Sequence, residues 1–350
     1  MLKVSQAILH VFDFETGSKY YSEAPLDLEN RPTKSYVQRR LRKITASPES
    51  NHGEFAEDSG FAGELEHYLM GGADFQGFSV QIAEWFWEEL RRSEELEQVD
   101  LLVADFVDTD VAAVGANSTD AEVDAAFDGP EGKRFFAVVL LPRKQSFVHE
   151  IGGTNEILRM DTALPNPTAK IDTYVLVDCD SFAIDFHDKE RSIGGQSIQI
   201  LPDKFLQCSA AASTQEVFSE VSVIVQDVAE EYGLTPAVEV GRAKAAVAQQ
   251  ADRDEVVTPA EIGRVVFEDR PDVQQVFEER IREAKLPEEA LVRRGVANRL
   301  AKNHKIKTDT GIEITFPSDL ADKPGYLDFT TGADGTISIT IGNVAHIENK

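Results

Sequence analysis

The sequence predicts an α+β protein. Residues 1–200 are expected to form a mixed sheet with packed helices, and residues 201–350 a helical array ending in a small antiparallel β-sheet. Apolar residues run continuously or alternate with period 2 as far as Pro202. They recur at helical spacing from Phe205 to about Asn303, then alternate again. At 350 residues the chain also exceeds the size at which one hydrophobic core keeps growing, so two domains are expected.

Val4–Phe14 and Lys19–Leu28 read as two strands joined at Thr16-Gly17. Pro32 opens a helix to about Ile44 with Tyr36, Val37, Leu41 and Ile44 on one face. Ser47–Gly63 reads as a loop, and Ala62–Met70 and Phe75–Arg92 as helices. Phe78, Ile82, Trp85, Phe86 and Leu90 lie at core spacing on the second of these. Leu101–Val107 and Phe135–Leu141 fit central strands covered on both faces, and Tyr174–Phe186 a strand or hairpin. The acids of Asp105–Gly132 read as a solvated loop.

Phe205–Glu231 is patterned as a long helix. Thr258-Pro259-Ala260-Glu261 supplies an N-cap, a first-position proline and a Glu able to close a capping box. Further helices are expected after Pro271 and from Pro287 to about Asn303. Three helices followed by a hairpin have the order of a winged helix. The middle one, however, carries Asp272, Glu278, Glu279 and Glu283, a poor choice for a DNA groove. Gly311–Phe316, Tyr326–Thr330 and Thr336–Ile341 close the chain as strands, the last two around Asp334-Gly335.

The chain carries 62 acids against 35 bases, a net charge of −27. Such a field repels nucleic acid and anionic membrane at long range. Met1–His10 has no basic region followed by a long apolar core, and no apolar run approaches the ~20 residues of a membrane span. A cytoplasmic protein is expected. The only two cysteines, Cys179 and Cys208, read as reduced thiols.

There is no phosphate-binding loop, dinucleotide fingerprint, zinc-protease motif, nucleophile elbow or C-x-x-C pair, so no cofactor is expected. Asp178, Asp180, Asp185, His187 and Asp188 form the best local constellation. A metal-dependent phosphodiesterase would need them to converge, whereas strand ends and a turn around Ser181 need only the residue types.

Two basic clusters break the acidic background. Arg31–Lys43 holds Arg31, Lys34, Arg39, Arg40, Arg42 and Lys43. Arg293–Lys307 holds Arg293, Arg294, Arg299, Lys302, Lys305 and Lys307, with His304 added. Neither contains an acid. They contact phosphates, or they pair with the protein's own acids within the chain or across a homodimer.

His304-Lys305-Ile306-Lys307-Thr308-Asp309-Thr310-Gly311-Ile312-Glu313-Ile314, then Pro317 and Asp334-Gly335-Thr336-Ile337-Ser338-Ile339, resembles the C-terminal signature of the bacterial 37-kilodalton nucleoid-associated protein family (NdpA/YejK-like). Ala7-Ile8-Leu9-His10 is similar to that family's start. Tyr174–Asp180 followed by Asp203-Lys204-Phe205-Leu206 is similar to its centre. The resemblance implies a protein of the bacterial nucleoid that binds DNA or DNA-associated proteins without enzymatic activity. It brings no residue-by-residue contact set. The expected nucleic-acid contacts therefore come from charge: Arg39, Arg40, Arg42, Lys43, Arg293, Arg294, Arg299, Lys302, Lys305 and Lys307. The alternative is an acidic interaction protein that binds basic partners and never touches DNA.

Overall fold

In a computed structural model, residues 2–109, 132–151, 155–292, 294–320, 323, 325–332 and 336–346 are described. They fall into two units, Met1–Ala211 and Ala212–Lys350. The α+β class predicted from sequence holds.

The first unit opens with β1 (Leu2–Asp13) and β2 (Ser18–Tyr20), then α1 (Arg31–Thr45), β3 (Asn51–Gly53), α2 (Gly60–Leu69) and α3 (Phe75–Leu90). β4 (Val99–Asp108) and β5 (Lys133–Pro142) follow, then a ribbon of β6 (Lys144–Ile151) and β7 (Asn155–Ala163). Next come β8 (Thr173–Asp178), β9 (Ile184–Asp188) and a small hairpin of β10 (Arg191–Ile193) and β11 (Gln196–Ile198). Seven strands form one sheet in the order β2-β1-β4-β5-β8-β9-β3.

Its pairings are antiparallel throughout, not mixed as expected. Continuous apolar runs report that both faces are covered, and they carry no information on strand direction. Along β4, Leu101 and Val103 enter a core with Phe78, Ile82 and Phe86 of α3 and Leu65 of α2. Leu102, Ala104 and Phe106 point the other way, to Val37, Leu41 and Ile44 of α1. Period 2 thus divides one strand between two cores.

Of the expected second strand Lys19–Leu28 only Lys19 and Tyr20 join the ladder with β1, together with the preceding Ser18. The expected helix from Phe205 is broken. Leu201–Leu206 is a π-helical turn, Gln207 turns left-handed at φ 50°, and Cys208 and Ala211 bridge to Phe55 and His52. The small-residue stretch Ser209–Ala212 has no apolar stripe to bury against a core.

The second unit comprises α4 (Thr214–Glu231), α5 (Pro236–Asp254), β12 (Val256–Val257), α6 (Pro259–Val266), α7 (Pro271–Glu283), β13 (Ala290–Leu291) and α8 (Arg294–Ala301). Then come β14 (Asn303–Lys307), β15 (Glu313–Pro317), β16 (Leu327–Thr331) and β17 (Ile337–Ile341). α4 starts at a full capping box, with Ser213 and Glu216 each satisfying the other's backbone. Thr258 does precede a helix, but its side chain does not cap it. The Thr258 N–H that a capping box would satisfy donates instead to Gln250 Oε1 at 2.9 Å.

Pro287–Asn303 is not one helix, since β13 pairs with β12 before α8 begins. The last strands form two hairpins, β14–β15 and β16–β17, rather than one sheet. The expected turn at Asp334-Gly335 lies outside the described residues.

α6 and α7 cross at Gly263, where an added Cβ would lie 2.1 Å from the ring of Phe277. Phe277 is fully buried, so the ring has little room to move. Gly263→Ala is expected to lower stability by about 1–3 kcal/mol, measured by urea unfolding.

Candidate nucleic-acid interface

α1 begins where Asn30 Oδ1 accepts the Thr33 N–H at 3.2 Å and Pro32 fixes the first turn. Burying Val37, Leu41 and Ile44 against the sheet turns the opposite side of the helix to solvent. Arg31, Lys34, Arg39, Arg42 and Lys43 are exposed there. None of the five side chains has an ion-pair or hydrogen-bond partner among the described residues. Arg42 and Lys43 stand in the last turn, where positive charge complements the negative end of the helix dipole.

Arg40, expected to contact nucleic acid, is 0% exposed and faces the other way. Its Nη1 donates to the carbonyls of Asn166 (3.1 Å), Pro167 (3.4 Å) and Ala169 (2.8 Å). Tyr36 O–H donates to Pro165 O at 3.0 Å. Burial lowers the Arg40 pKa from its ordinary value. The guanidinium therefore ties the 165–169 loop to α1 and cannot reach a phosphate. Arg39 is its immediate neighbour on the exposed side, and a step of 100° along a helix is enough to exchange solvent for core.

The second cluster is disposed differently. Arg294 Nε is ion-paired to Asp252 Oδ1 at 2.7 Å, and Asn298 donates to the same oxygen at 3.0 Å. Lys305 Nζ pairs with Glu313 Oε2 at 2.7 Å across the β14–β15 hairpin. Arg299 is exposed. Lys302 and Lys307 are exposed and have no side-chain partner among the described residues. Arg293 lies outside the described residues. The first cluster belongs to the first unit and the second to the other.

His304 alternates inward from Lys305 and is 5% exposed, edge-on to Phe316 with ring centroids 5.3 Å apart. Neither ring nitrogen has a hydrogen-bond partner among the described residues. Burial, assisted by the nearby Lys244 charge, pulls its pKa down to about 4. His10, also buried, is pulled down to about 4 by burial. It accepts the Ser22 N–H on Nδ1 at 3.1 Å, which leaves Nε2 to donate to Ser79 Oγ at 2.9 Å.

Both imidazoles are neutral in the folded chain and charge more readily when it unfolds. Their contribution is complete above about pH 6.5 and is lost as pH falls toward about 4. Asp100 acts in the opposite sense. Burial raises it to about 6 against the pull of Arg143, so its contribution is lost as pH rises from the ordinary carboxylate range through about 6. His304→Phe is expected to flatten the acid limb of stability against pH, by up to about 3 kcal/mol between pH 6.5 and 4. Melting followed across that range checks it.

The carboxylate constellation resolves into separate structural roles. Asp178 Oδ1 accepts the N–H groups of Asp180 and Ser181 in the β8–β9 turn. Asp185 pairs with His52 Nδ1 at 2.6 Å. His187 Nδ1 meets the Glu49 carbonyl at 3.2 Å, and Asp188 is bound to Arg191 and to the Leu201 N–H. Among the described residues no three His, Cys, Asp or Glu are placed to hold a metal ion.

Asp105, expected in a solvated loop, is buried at the end of β4. It receives Arg134 through both carboxylate oxygens and Tyr68 O–H at 2.7 Å. Asp108 is likewise part of β4 and buried. Asp110, Asp120, Glu122, Asp124, Asp128 and Glu131 lie outside the described residues. The two thiols are unpaired, and burial pushes Cys179 up to about 12 and Cys208 up to about 11. Among the described residues no helix is long and apolar enough to cross a membrane.

These features define an acidic α+β protein in two units, with five unpaired bases on the exposed face of one helix. The family model described as nucleoid-associated protein YejK (NA37) matches residues 8–349, and the chain belongs to that family. No curated protein is significantly similar to it in sequence.

Proposed function

We propose that this protein is a non-enzymatic component of the bacterial nucleoid that contacts DNA phosphates through the exposed face of α1. The observation that carries the reading is that Arg31, Lys34, Arg39, Arg42 and Lys43 lie on that face with no ion-pair partner among the described residues. In a chain with 62 acids, five neighbouring bases without partners are a local reversal of field. Each phosphate they neutralise would release counterions and make binding steeply salt-dependent.

Lys302 and Lys307 are a secondary surface in the second unit. Arg294 and Lys305 contribute less there because each must first leave an acid. Contacts of this kind position a protein on the duplex without reading sequence, so weak sequence preference is expected. Membership of a nucleoid-associated family supports the chromosomal setting.

A second reading follows from the pairs Arg294–Asp252 and Lys305–Glu313, in which the protein's own acids consume its positive charge. A protein working through its acidic surface would bind basic partners and leave DNA alone. Gel-shift titration against unrelated duplexes at two salt concentrations separates the two. The DNA reading expects uniform affinities that fall steeply with salt, and the absence of a shift at low salt would overturn it.

A further inference from the structure

The β6–β7 ribbon has no part in the reading above. Among the described residues its strands pair only with each other, and none of its described side chains enters either core of the first unit. Five large apolar side chains among its described residues are exposed: Phe147 (65%), Val148, Ile157 (73%), Leu158 and Met160. Register places Phe147 opposite Arg159 and His149 opposite Ile157 on one side. Ser146–Met160 and Val148–Leu158 lie on the other. With apolar groups on both sides, no single surface of its own unit could cover them all. A two-stranded ribbon alone is marginally stable in water, and its outer edges have no strand partner among the described residues.

The two edges differ. From Lys144 to Ser146 the chain advances two residues while its partners run three, from Ala163 to Met160, so the extra residue is a bulge in β7. A bulge disrupts pairing along its own strand. β6 stays regular and exposes the better template. Near the tip, Glu150 lies directly opposite Glu156, a repulsive cross-strand pair that a base on an added strand would relieve.

We infer that the occupant of this edge is β6 of a second copy, added antiparallel about a two-fold axis through Phe147 to make a four-stranded sheet across two protomers. Directly opposed residues share a face, so a two-fold axis permits only partners of the same parity. With Phe147 on the axis, Ser146 meets Val148, Gln145 meets His149 and Lys144 meets Glu150, twice by symmetry. The lysine thus arrives beside the Glu150–Glu156 repulsion. The Phe147 rings of the two copies become neighbours, with Arg159 directly across each ribbon and Ile157 on the diagonal. The β7 edge offers no such match, since Glu156 would meet Leu158 with Ile157 on the axis, or Met160 with Leu158 on it. Phosphate is a poor occupant, because the sequence of the two strands carries no excess of bases.

Sedimentation of the full chain across a concentration series, with a charge-swap cycle, tests this. Wild type is expected to dimerise. Lys144→Glu sets Glu against Glu150 twice and raises the dimer Kd on the order of tenfold or more, and Glu150→Lys does the same with lysines. The double swap restores dimerisation to near wild type, which a merely structural effect on the ribbon would not do. Phe147→Cys should crosslink to its own copy on oxidation. The inference is overturned by a wild-type monomer at every concentration, by a dimer that ignores the single swaps, or by a double swap no better than either single. It is also overturned if Lys144→Glu changes DNA retention while the mass stays monomeric, which would make the ribbon a nucleic-acid arm.

Discussion

Arg39→Glu/Arg42→Glu/Lys43→Glu is expected to remove DNA retention at low salt, with affinity falling on the order of a hundredfold or more on every duplex tested. Three lost phosphate contacts should lower the slope of log K against log salt by about 2.7, at roughly 0.9 for each contact. Sequence preference should stay flat, because no base edge is being read. Stability is the control. Arg39 is exposed and unpaired, so reversing it alone should leave thermal unfolding essentially unchanged. Arg42 and Lys43 stand in the last turn, and each reversal there costs about 0.3–1 kcal/mol through the helix dipole. Glutamine at the same positions separates loss of contact from introduced repulsion. A triple variant that binds DNA as wild type does would end the claim for α1.

The adjacent residue is expected to behave in the opposite way. Arg40→Ala removes a fully buried side chain and the donor shared by three carbonyls of the 166–169 loop. Lost packing and lost charge-assisted hydrogen bonds together should lower unfolding stability by about 3–5 kcal/mol. Hydrogen exchange should show earlier opening at residues 166–169. The folded fraction should still bind DNA with the wild-type salt slope. A variant with wild-type stability and lost DNA binding would instead return Arg40 to the interface. The Arg39/Arg40 pair thus tests binding and folding at neighbouring positions of one helix.

Much of the fold was legible because burial imposes a period. Val37, Leu41 and Ile44 announced the inner face of α1, and Leu101–Val107 announced a strand covered on both sides. What period does not encode is the partner. Nothing in β4 or β5 says that they run antiparallel to β1 and β8. The ribbon 144–163 went unread because its apolar residues stay exposed on both faces, leaving neither clean alternation nor a buried run. Cap chemistry was legible only in part. Ser213 and Glu216 close a capping box, whereas Thr258, with an equally good motif, has its N–H taken by Gln250 from the preceding helix.

For the site, the sequence by itself determined where positive charge concentrates and that its background is acidic. It also held the signature His304–Ile314 that points to the family. Local composition is enough for such statements, because charge and motif are properties of neighbouring residues. Only the tertiary structure decided which bases are available. It withdrew Arg40 into the core and neutralised Arg294 with Asp252, 42 residues away. It paired Lys305 with Glu313 across a hairpin, and it left Arg31, Lys34, Arg39, Arg42 and Lys43 unpaired in solvent. Whether a charge is free depends on groups that folding brings within a few ångströms from distant positions, and the desolvation and Coulomb energies that settle it exist only once they meet.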